Sequence, residues 1–411
     1  MARTRGRGPR GRRRPRTIAR PRCGAGAGTG AGAGDRGGGE PGRRAARCPT
    51  AAGRSRTVRA YSGQQAGPPG GRRGLDRPAR PRPDRACRPV RAPGRGDRVT
   101  AAVPPLLVIG GPTATGKTAL AIEVALSIAK DGVPVEVISA DSRQVYRGLD
   151  IGTAKPTMAE RRGVPHHGLD LVDPDQPFSV ADFADHVAAV LGPIAAAGGL
   201  AILAGGTGFY LRAIARGLDT TALPSDAAVR ARVEAELTAS GVAAGATRLS
   251  TIAPSLAARV DLRNPRRVAR ALEIAEIAGD APLPAPRGYG GPVAWLGLDV
   301  PRDVHGGWIR VRAEAQFEAG LAEEARALRE RYDPALPAFS AIGYAESWAF
   351  LDGEIDRETA IERDAARNVA FAKRQRTWFR SEPGIEWLDA KADPLPRAVE
   401  VARGLVPTRL A

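Results

Sequence analysis

The sequence predicts an α/β protein: a parallel sheet flanked by helices, with a small all-helical insertion. Three observations predict it. The apolar run Leu106–Ile109 leads into GGPTATGKT (Gly110–Thr118) and then into Ala119–Lys130, whose apolar residues recur at helical spacing. Further apolar runs at Val133–Ser139, Leu200–Ala204 and Val293–Val300 read as core strands separated by helical stretches, the pattern of a parallel sheet. Between about 222 and 286 the strand pattern stops, and short Ala- and Arg-rich helices take over.

Strand, glycine-rich turn and helix together are the context in which G-x-x-x-x-G-K-[ST] is a phosphate loop, so the sheet is expected to be P-loop NTPase-like. Gly111 and Gly116 free the backbone for conformations a Cβ would forbid. The stretch Gly111, Pro112, Thr113, Ala114, Thr115, Gly116, Lys117 and Thr118 is expected to wrap the diphosphate of a donor or a nucleotide, with its N–H groups aimed at one anion at the positive end of the helix dipole. Lys117 adds a point charge, and the Thr118 hydroxyl reaches a phosphate or its Mg²⁺. The motif does not say which diphosphate is bound or whether a phosphoryl group moves.

The elements that follow place other candidates around this loop. Val133–Ser139 ends in Ala140–Tyr146 (ADSRQVY). Ligands of open α/β sheets sit beyond the carboxyl ends of strands, which puts Asp141 at the mouth of the site; the alternative is that it caps a helix. Gly148–Thr157 is a polar loop carrying Thr153 and Lys155. His166 and His167 have no carboxylate or third histidine at ligand spacing and are read as structural. Ser179–Ala197 is a helix with Ser179 and Asp182 as its capping box. Leu200–Ala204 ends in Gly205-Gly206-Thr207, where a kinase or ATPase often keeps an Asp for Mg²⁺; this is a first sign of chemistry other than phosphoryl transfer. In the insertion, Asp226–Ser240 and Asn264–Ala278 are helices, the second with Asn264 as cap and Pro265 at its first position. Trp308–Arg331 reads as one helix with Leu321, Ala325 and Leu328 on a single face, and Ser340–Leu351 carries Gly343-Tyr344. Glu358–Ser381 is a long helix ending in KRQRTWFR (Lys373–Arg380), and Ile385–Leu388 is a late strand. Basic residues interleaved with aromatics pair phosphates and stack bases; the alternative is a solvated helix end with its Trp in the core.

Charge separates the chain into two parts. Residues 1–98 hold 27 of the 62 basic residues, all Arg, against five acids, so the net charge of +18 comes from this stretch; residues 99–411 hold 35 basic and 39 acidic residues. The global charge is therefore no evidence that the folded part binds nucleic acid. The stretch 1–98 is Gly, Pro, Arg and Ala with a single aromatic, Tyr61, and is expected to be disordered. An RNA-binding arm and a transit peptide are two readings of it. The third is favoured: Arg without Lys is what GC-rich DNA yields in an unselected frame, so the stretch is expected not to be translated and the protein to start near Val99. Cys23, Cys48 and Cys87 all lie there, which excludes a disulfide framework or cysteine-ligated zinc from the remainder. No apolar run approaches the roughly 20 residues of a membrane span, and a soluble, cytoplasmic monomer is expected. The divisions are 1–98, a first core part 99–221, the helical insertion 222–286 and a second core part 287–411.

Eight motifs in order carry a resemblance: Gly111–Thr118 (GPTATGKT), Asp141–Gln144 (DSRQ), Gly148–Pro156 (GLDIGTAKP), Pro165–Asp170 (PHHGLD), Gly205–Tyr210 (GGTGFY), Arg263–Glu273 (RNPRRVARALE), Gly343–Glu346 (GYAE) and Lys373–Arg380 (KRQRTWFR). Over roughly 101–390 the chain resembles the bacterial tRNA dimethylallyltransferases, the tRNA isopentenyltransferase family. The resemblance implies transfer of a dimethylallyl group from dimethylallyl diphosphate to N6 of the adenosine 3′ of the anticodon, in tRNAs reading codons that begin with U, with Mg²⁺ and release of pyrophosphate. It implies Asp141, Lys117 and Thr113 as catalytic residues and Thr118 at the metal. It places contacts to the tRNA anticodon stem-loop on Asp141, Ser142, Arg143, Gln144, Thr207, Arg230, Arg266, Arg267, Arg270, Gly343, Tyr344, Lys373, Arg374, Arg376 and Arg380. A carboxylate that accepts an N6 hydrogen raises the nucleophilicity of that nitrogen, and Asp141 stands where the carboxylate belongs. A small-molecule P-loop kinase and a non-catalytic RNA-binding ATPase are the competing readings; the missing strand-end Asp and the basic-aromatic helix separate them from transfer to RNA.

Overall fold

The computed structural model of the chain describes residues 103–406 apart from 221 and 283; the expectations for residues 1–98 lie outside the described residues. The centre is β1 (Leu106–Gly110), buried along its whole length because it has a strand on each side and helices on both faces. The phosphate loop follows and opens into α1 (Lys117–Ala129), then β2 (Val135–Ser139), α2 (Met158–Arg161) and a two-residue strand β3 (His166–His167). Ser179 caps α3 (Val180–Ala196) with Asp182 closing the box, as the spacing predicts. β4 (Leu200–Gly205) and α4 (Gly208–Ala215) complete the first half.

Six strands form one sheet in the order β3-β2-β4-β1-β5-β6, every neighbouring pair parallel. Since β2, β4 and β1 are neighbours, the loops leaving their carboxyl ends gather at one edge. Those loops are Gly111–Gly116, Ala140–Gln144 and Gly206–Thr207, and their proximity is the main contribution of the fold to the site. The approach is close enough to require glycine: a Cβ on Gly205 would stand 2.1 Å from the Ala140 carbonyl oxygen.

The chain then leaves the sheet for α5 (Ala227–Ser240), α6 (Val242–Ile252), α7 (Pro254–Ala257) and α8 (Pro265–Ala278). These helices bury their own apolar residues together, among them Val233, Leu249, Leu256, Val268 and Leu272. At their centre the Glu273 carboxylate is fully buried and takes Arg230 and Arg270 as partners. A buried carboxylate is tolerable only when paired in this way.

β5 (Val293–Asp299) returns to the sheet beside β1. The single helix expected over 308–331 is in fact two, α9 (Arg302–Glu318) and α10 (Leu321–Arg329). Gly320 between them has φ +99°, a left-handed conformation that ends a helix, and it lets the Leu321–Leu328 face turn onto a different neighbour. A short 3₁₀ turn (Pro337–Ser340), α11 (Tyr344–Leu351), the 24-residue α12 (Arg357–Arg380), β6 (Ile385–Asp389) and α13 (Leu395–Leu405) finish the fold. Ala398 and Ala402 of α13 pack with the apolar face of α1.

β3 was not legible in the sequence because two residues carry no period. It gives the histidine pair its place: His166 and His167 pair with Val137 and Ile138 of β2. The His166 Nδ1 lies 2.8 Å from the Val164 carbonyl, and the His167 Nε2 lies 2.5 Å from Glu136. Among the described residues no helix is long and apolar enough to cross a membrane, and no group of three or more His, Cys, Asp or Glu side chains is arranged to hold a metal.

Candidate active site

The phosphate loop adopts the backbone its glycines permit. Gly111 has φ +142° with the Leu298 carbonyl 2.4 Å from where a Cβ would be, and Gly116, at φ +80°, caps α1. Thr113, Ala114, Gly116, Lys117 and Thr118 line a cavity of about 770 Å³. Gly111, Pro112 and Thr115 do not line it; they are buried, and the Thr115 hydroxyl donates to the Pro112 carbonyl at 2.9 Å. One expectation needs correction here. The loop N–H groups do not all aim at one anion, since Pro112 has none and the Thr113 N–H donates to Gln375 Oε1 at 2.8 Å.

Lys117 donates to the Pro112 carbonyl at 2.5 Å. Burial, and after it the Arg312 guanidinium, lower its pKa from the ordinary 10.5 to about 7, while Asp141 works the other way. A diphosphate in the cavity would put a second anion beside this ammonium.

Asp141 does not cap a helix. No helix starts there, and its Oδ1 accepts the Arg143 N–H of the following turn at 2.8 Å. Half-buried, it stands on a wall common to two cavities. The first is the one on the phosphate loop; the second, of about 500 Å³, is lined by Ser142, Arg143, Thr207, Arg266, Arg367 and Arg374 among others. The residues shared by both are Thr113, Asp141, Thr153, Arg312 and Phe371. The two loops that carry Asp141 and Thr207 are tied together, because the Ser142 N–H donates to Thr207 Oγ1 at 3.0 Å. Arg143 reaches across to the Pro337 carbonyl at 2.8 Å.

The remaining expected contacts fall into two groups. Lys373, Arg374 and Arg380 are exposed on α12, and Arg266 and Arg267 are exposed on α8. Arg380 lies 3.5 Å from Asp299. The other group makes internal contacts. Gln144 is buried with both ends of its amide engaged: it accepts from Ser139 Oγ at 2.7 Å and donates to the Thr153 and Ala154 carbonyls at 3.1 Å. Arg376 is buried and donates to Asp299 at 2.8 Å and to the Val300 carbonyl at 3.1 Å. Tyr344 is fully buried and donates to Glu324 at 2.8 Å, and Gly343 donates its N–H to Glu346 at 3.0 Å; their neighbours Ser340, Ala341 and Ile342 line the second cavity instead. Arg230 and Arg270 are the partners of Glu273 inside the insertion. For Gln144, Arg376 and Tyr344 the physical reason is that a polar group on a buried face must find a protein partner; Arg230 and Arg270 instead serve the buried Glu273 carboxylate from partly exposed positions.

The sequence reading missed several residues that build the site. Arg312 donates to Thr113 Oγ1 at 2.7 Å, and Gln375 bridges the Thr113 N–H to the Gly206 carbonyl at 3.0 Å. Gln375 lies inside the basic run Lys373–Arg380, and a helical wheel would have set it on the inner face with Ala372, Arg376 and Phe379. Arg312 gave no such signal, because its role depends on α9 packing against α12. Asp364 on α12 is buried, and burial, with Glu346 adding to it, pushes its pKa up to about 6 against the Asn368 bond and the Arg312 and Arg367 charges. The polar loop 148–156 is held from below: Glu324 accepts the N–H groups of Ile151 at 2.8 Å and Gly152 at 3.1 Å, and the buried Lys155 ammonium pairs with Asp150 and Asp170.

Known proteins are similar to this chain in sequence and fold. The family model described as IPP transferase matches residues 144–382, and that described as isopentenyl transferase matches 104–172. A protein named tRNA dimethylallyltransferase from Anaeromyxobacter dehalogenans (strain 2CP-C) is 44% identical over 302 residues, covering 72% of this chain and 99% of the relative. One of the same name from Thiobacillus denitrificans is 42% identical, covering 72% and 95%. Among solved structures, the full-length tRNA isopentenylpyrophosphate transferase of Bacillus halodurans is 38% identical with a TM-score of 0.54, covering 73% of this chain and 95% of that one. The corresponding Staphylococcus epidermidis enzyme is 30% identical with a TM-score of 0.52, covering 74% and 100%. With a family model matched over more than half its length and relatives matched almost end to end, the chain belongs to the IPP transferase family.

Proposed function

We propose that this chain is a tRNA dimethylallyltransferase, moving a dimethylallyl group from dimethylallyl diphosphate to N6 of the adenosine immediately 3′ of the anticodon in tRNAs that read codons beginning with U. The observation that carries the reading is the position of Asp141 on the wall between two cavities. One has a phosphate loop at its base, and the other is lined by arginines. A donor diphosphate in the first and a flipped base in the second would meet at Asp141. Flipping costs a few kcal/mol, offset by contacts to the extruded base.

In the reaction N6 attacks the first carbon of the dimethylallyl group. The carbon–oxygen bond to the diphosphate breaks, and pyrophosphate leaves. Negative charge grows on the leaving group, so Lys117 and the loop dipoles stabilise the transition state more than the ground state. Asp141 accepts a hydrogen bond from N6 and takes up its proton as the new bond forms. Thr113 and Arg312 fix the wall past which the group is passed.

Mg²⁺ fits beside the phosphate loop. Thr118 lines that cavity with its hydroxyl oxygen, and Mg²⁺ is commonly held by one or two protein oxygens with phosphates and water making up the rest. When bound it would neutralise charge on the departing pyrophosphate. We place the protein in the cytoplasm as a monomer acting on the anticodon stem-loop. The test incubates the chain with bulk tRNA, Mg²⁺ and either labelled dimethylallyl diphosphate or labelled ATP. Label from the prenyl donor entering RNA supports the reading; label from ATP alone, or neither, refutes it.

A further inference from the structure

Thr113, at the tip of the phosphate loop, is gripped at three points by side chains from outside the loop. Gln375 of α12 accepts its N–H at 2.8 Å, Arg312 of α9 donates to its hydroxyl at 2.7 Å, and His305 of α9 lies with Nε2 2.8 Å from its carbonyl oxygen. His305 is itself buried, and its other nitrogen, Nδ1, lies 3.1 Å from Arg376 Nη2. These partners fix the proton. A carbonyl only accepts, so Nε2 must carry hydrogen; a guanidinium only donates, so Nδ1 must present its lone pair. The ring that satisfies both is the neutral Nε2–H tautomer.

We infer that His305 is a positioning residue for the transfer reaction: in its neutral form it holds the Thr113 carbonyl, and with it the tip of the phosphate loop, in the reactive geometry, and its protonation lets that tip go. The inference rests on the proposed transfer activity for its kinetic readout. A proton on Nδ1 would face the Arg376 guanidinium, donor against donor. The ring or the guanidinium must then move, and Thr113 sits on the wall that both cavities share.

The charged groups around the ring are Arg376 from α12, Lys117 from α1 and Asp299 from the end of β5. Asp299 is already paired with Arg376. Burial, with the Arg376 and Lys117 charges adding to it, outweighs the bond to the Thr113 carbonyl and the Asp299 carboxylate and holds His305 below the usual histidine range, so it is neutral at neutral pH and titrates only on the acid side.

The test uses the full chain with Thr113 and Lys117 intact and compares wild type, His305→Gln and His305→Leu. The Gln amide nitrogen can take the place of Nε2 and donate to Thr113, but it does not titrate. His305→Leu loses both bonds, and its kcat/KM for dimethylallyl diphosphate at pH 8 should fall about tenfold, the equivalent of one hydrogen bond and its geometry. Its KM for tRNA should not change. His305→Gln should keep most of the activity at that pH, and its acid limb should lie at least about one pH unit below that of wild type. The Asp364 carboxyl, pushed up to about 6, is present in all three proteins, so it cannot produce the difference. An acid limb in His305→Gln identical to wild type overturns the inference, as does a folded His305→Leu with wild-type kinetics. If His305→Leu melts before assay, the pH profile of His305→Gln decides alone. Absence of transfer by the wild type at every pH would instead remove the proposed function. His305 would then be judged by pyrophosphate binding, measured calorimetrically at pH 8 and at pH 5.5 in wild type and His305→Gln, where an equal acid loss in both overturns the inference.

Discussion

Donor binding should be accompanied by uptake of a proton, and Lys117 should be where it goes. The protein alone holds Lys117 at a pKa of about 7, through burial and Arg312. At pH 8 about nine-tenths of the molecules therefore carry it neutral. A diphosphate beside the ammonium favours the charged form and returns the pKa toward its ordinary value near 10.4, so the complex carries the proton. The donor's own last ionisation lies near 6, so at pH 8 it contributes almost nothing to the exchange. The expected uptake is about 0.9 proton per site at pH 8 and about half a proton at pH 7. The sign for affinity follows. The protein must gain a proton to bind, so raising the pH above the pKa in the protein alone weakens binding, by about 50-fold between pH 7 and pH 9. Calorimetric titration of dimethylallyl diphosphate in two buffers of different ionisation enthalpy, with chelator present, measures the uptake directly. Lys117→Arg is the control, because a guanidinium stays charged throughout and should bind with no uptake. An uptake below about 0.2 proton in wild type at pH 8, or the same uptake in Lys117→Arg, would show that Lys117 is not the group that receives it.

Three other substitutions separate chemistry, RNA binding and structure. Asp141→Asn retains an oxygen for the Arg143 N–H and for N6 but loses the charge, so steady-state kinetics should show kcat lower by about 10²–10⁴ with the KM for dimethylallyl diphosphate unchanged; a loss below about threefold removes Asp141 from the mechanism. Arg374→Ala, which takes away an exposed cation at the second cavity, should raise the KM for tRNA and reduce the salt slope of tRNA binding by about one, as seen in filter-binding titrations over a range of salt. Arg376→Met should leave that slope untouched but lower unfolding stability by about 1–3 kcal/mol in denaturant titrations, since it leaves Asp299 with Arg380 alone and unpins His305; a changed slope with full stability would return Arg376 to the RNA surface.

The sheet and the phosphate loop were legible because each rests on a local signal: continuous apolar runs for strands buried on both faces, and glycines at the turns that need them. Asp141 was placed correctly at a strand end by a rule of topology, without knowledge of what surrounds it. The sequence could not tell which polar residues of a motif face outward. DSRQ reads as four polar residues in a row, yet Gln144 is buried with its amide fully bonded inside the protein, while Asp141 is half-buried with one carboxylate oxygen on a backbone N–H. The same holds for GYAE, where Tyr344 is in the core. Arg312 and His305 were missed because each acts across the packing of α9 on the phosphate loop, at a separation of nearly two hundred residues. No window of sequence contains that contact.

The two sides of α12 have a consequence for how this protein can diverge. Along one helix, Lys373, Arg374 and Arg380 are exposed, while Gln375, Arg376 and Phe379 are buried in the interior. Substitutions on the outer side change affinity in small, separable steps, so drift in the recognised RNA can be accommodated there one position at a time. On the inner side Gln375 bonds the phosphate loop, Arg376 bonds the end of β5 and Phe379 packs in the apolar core, so each change there removes an internal contact that no outer position supplies. A saturation library across residues 372–380 should therefore separate into tolerant and intolerant positions with the 3.6-residue repeat of the helix. A motif that reads as one basic-aromatic run in the sequence would be inherited as two independent characters.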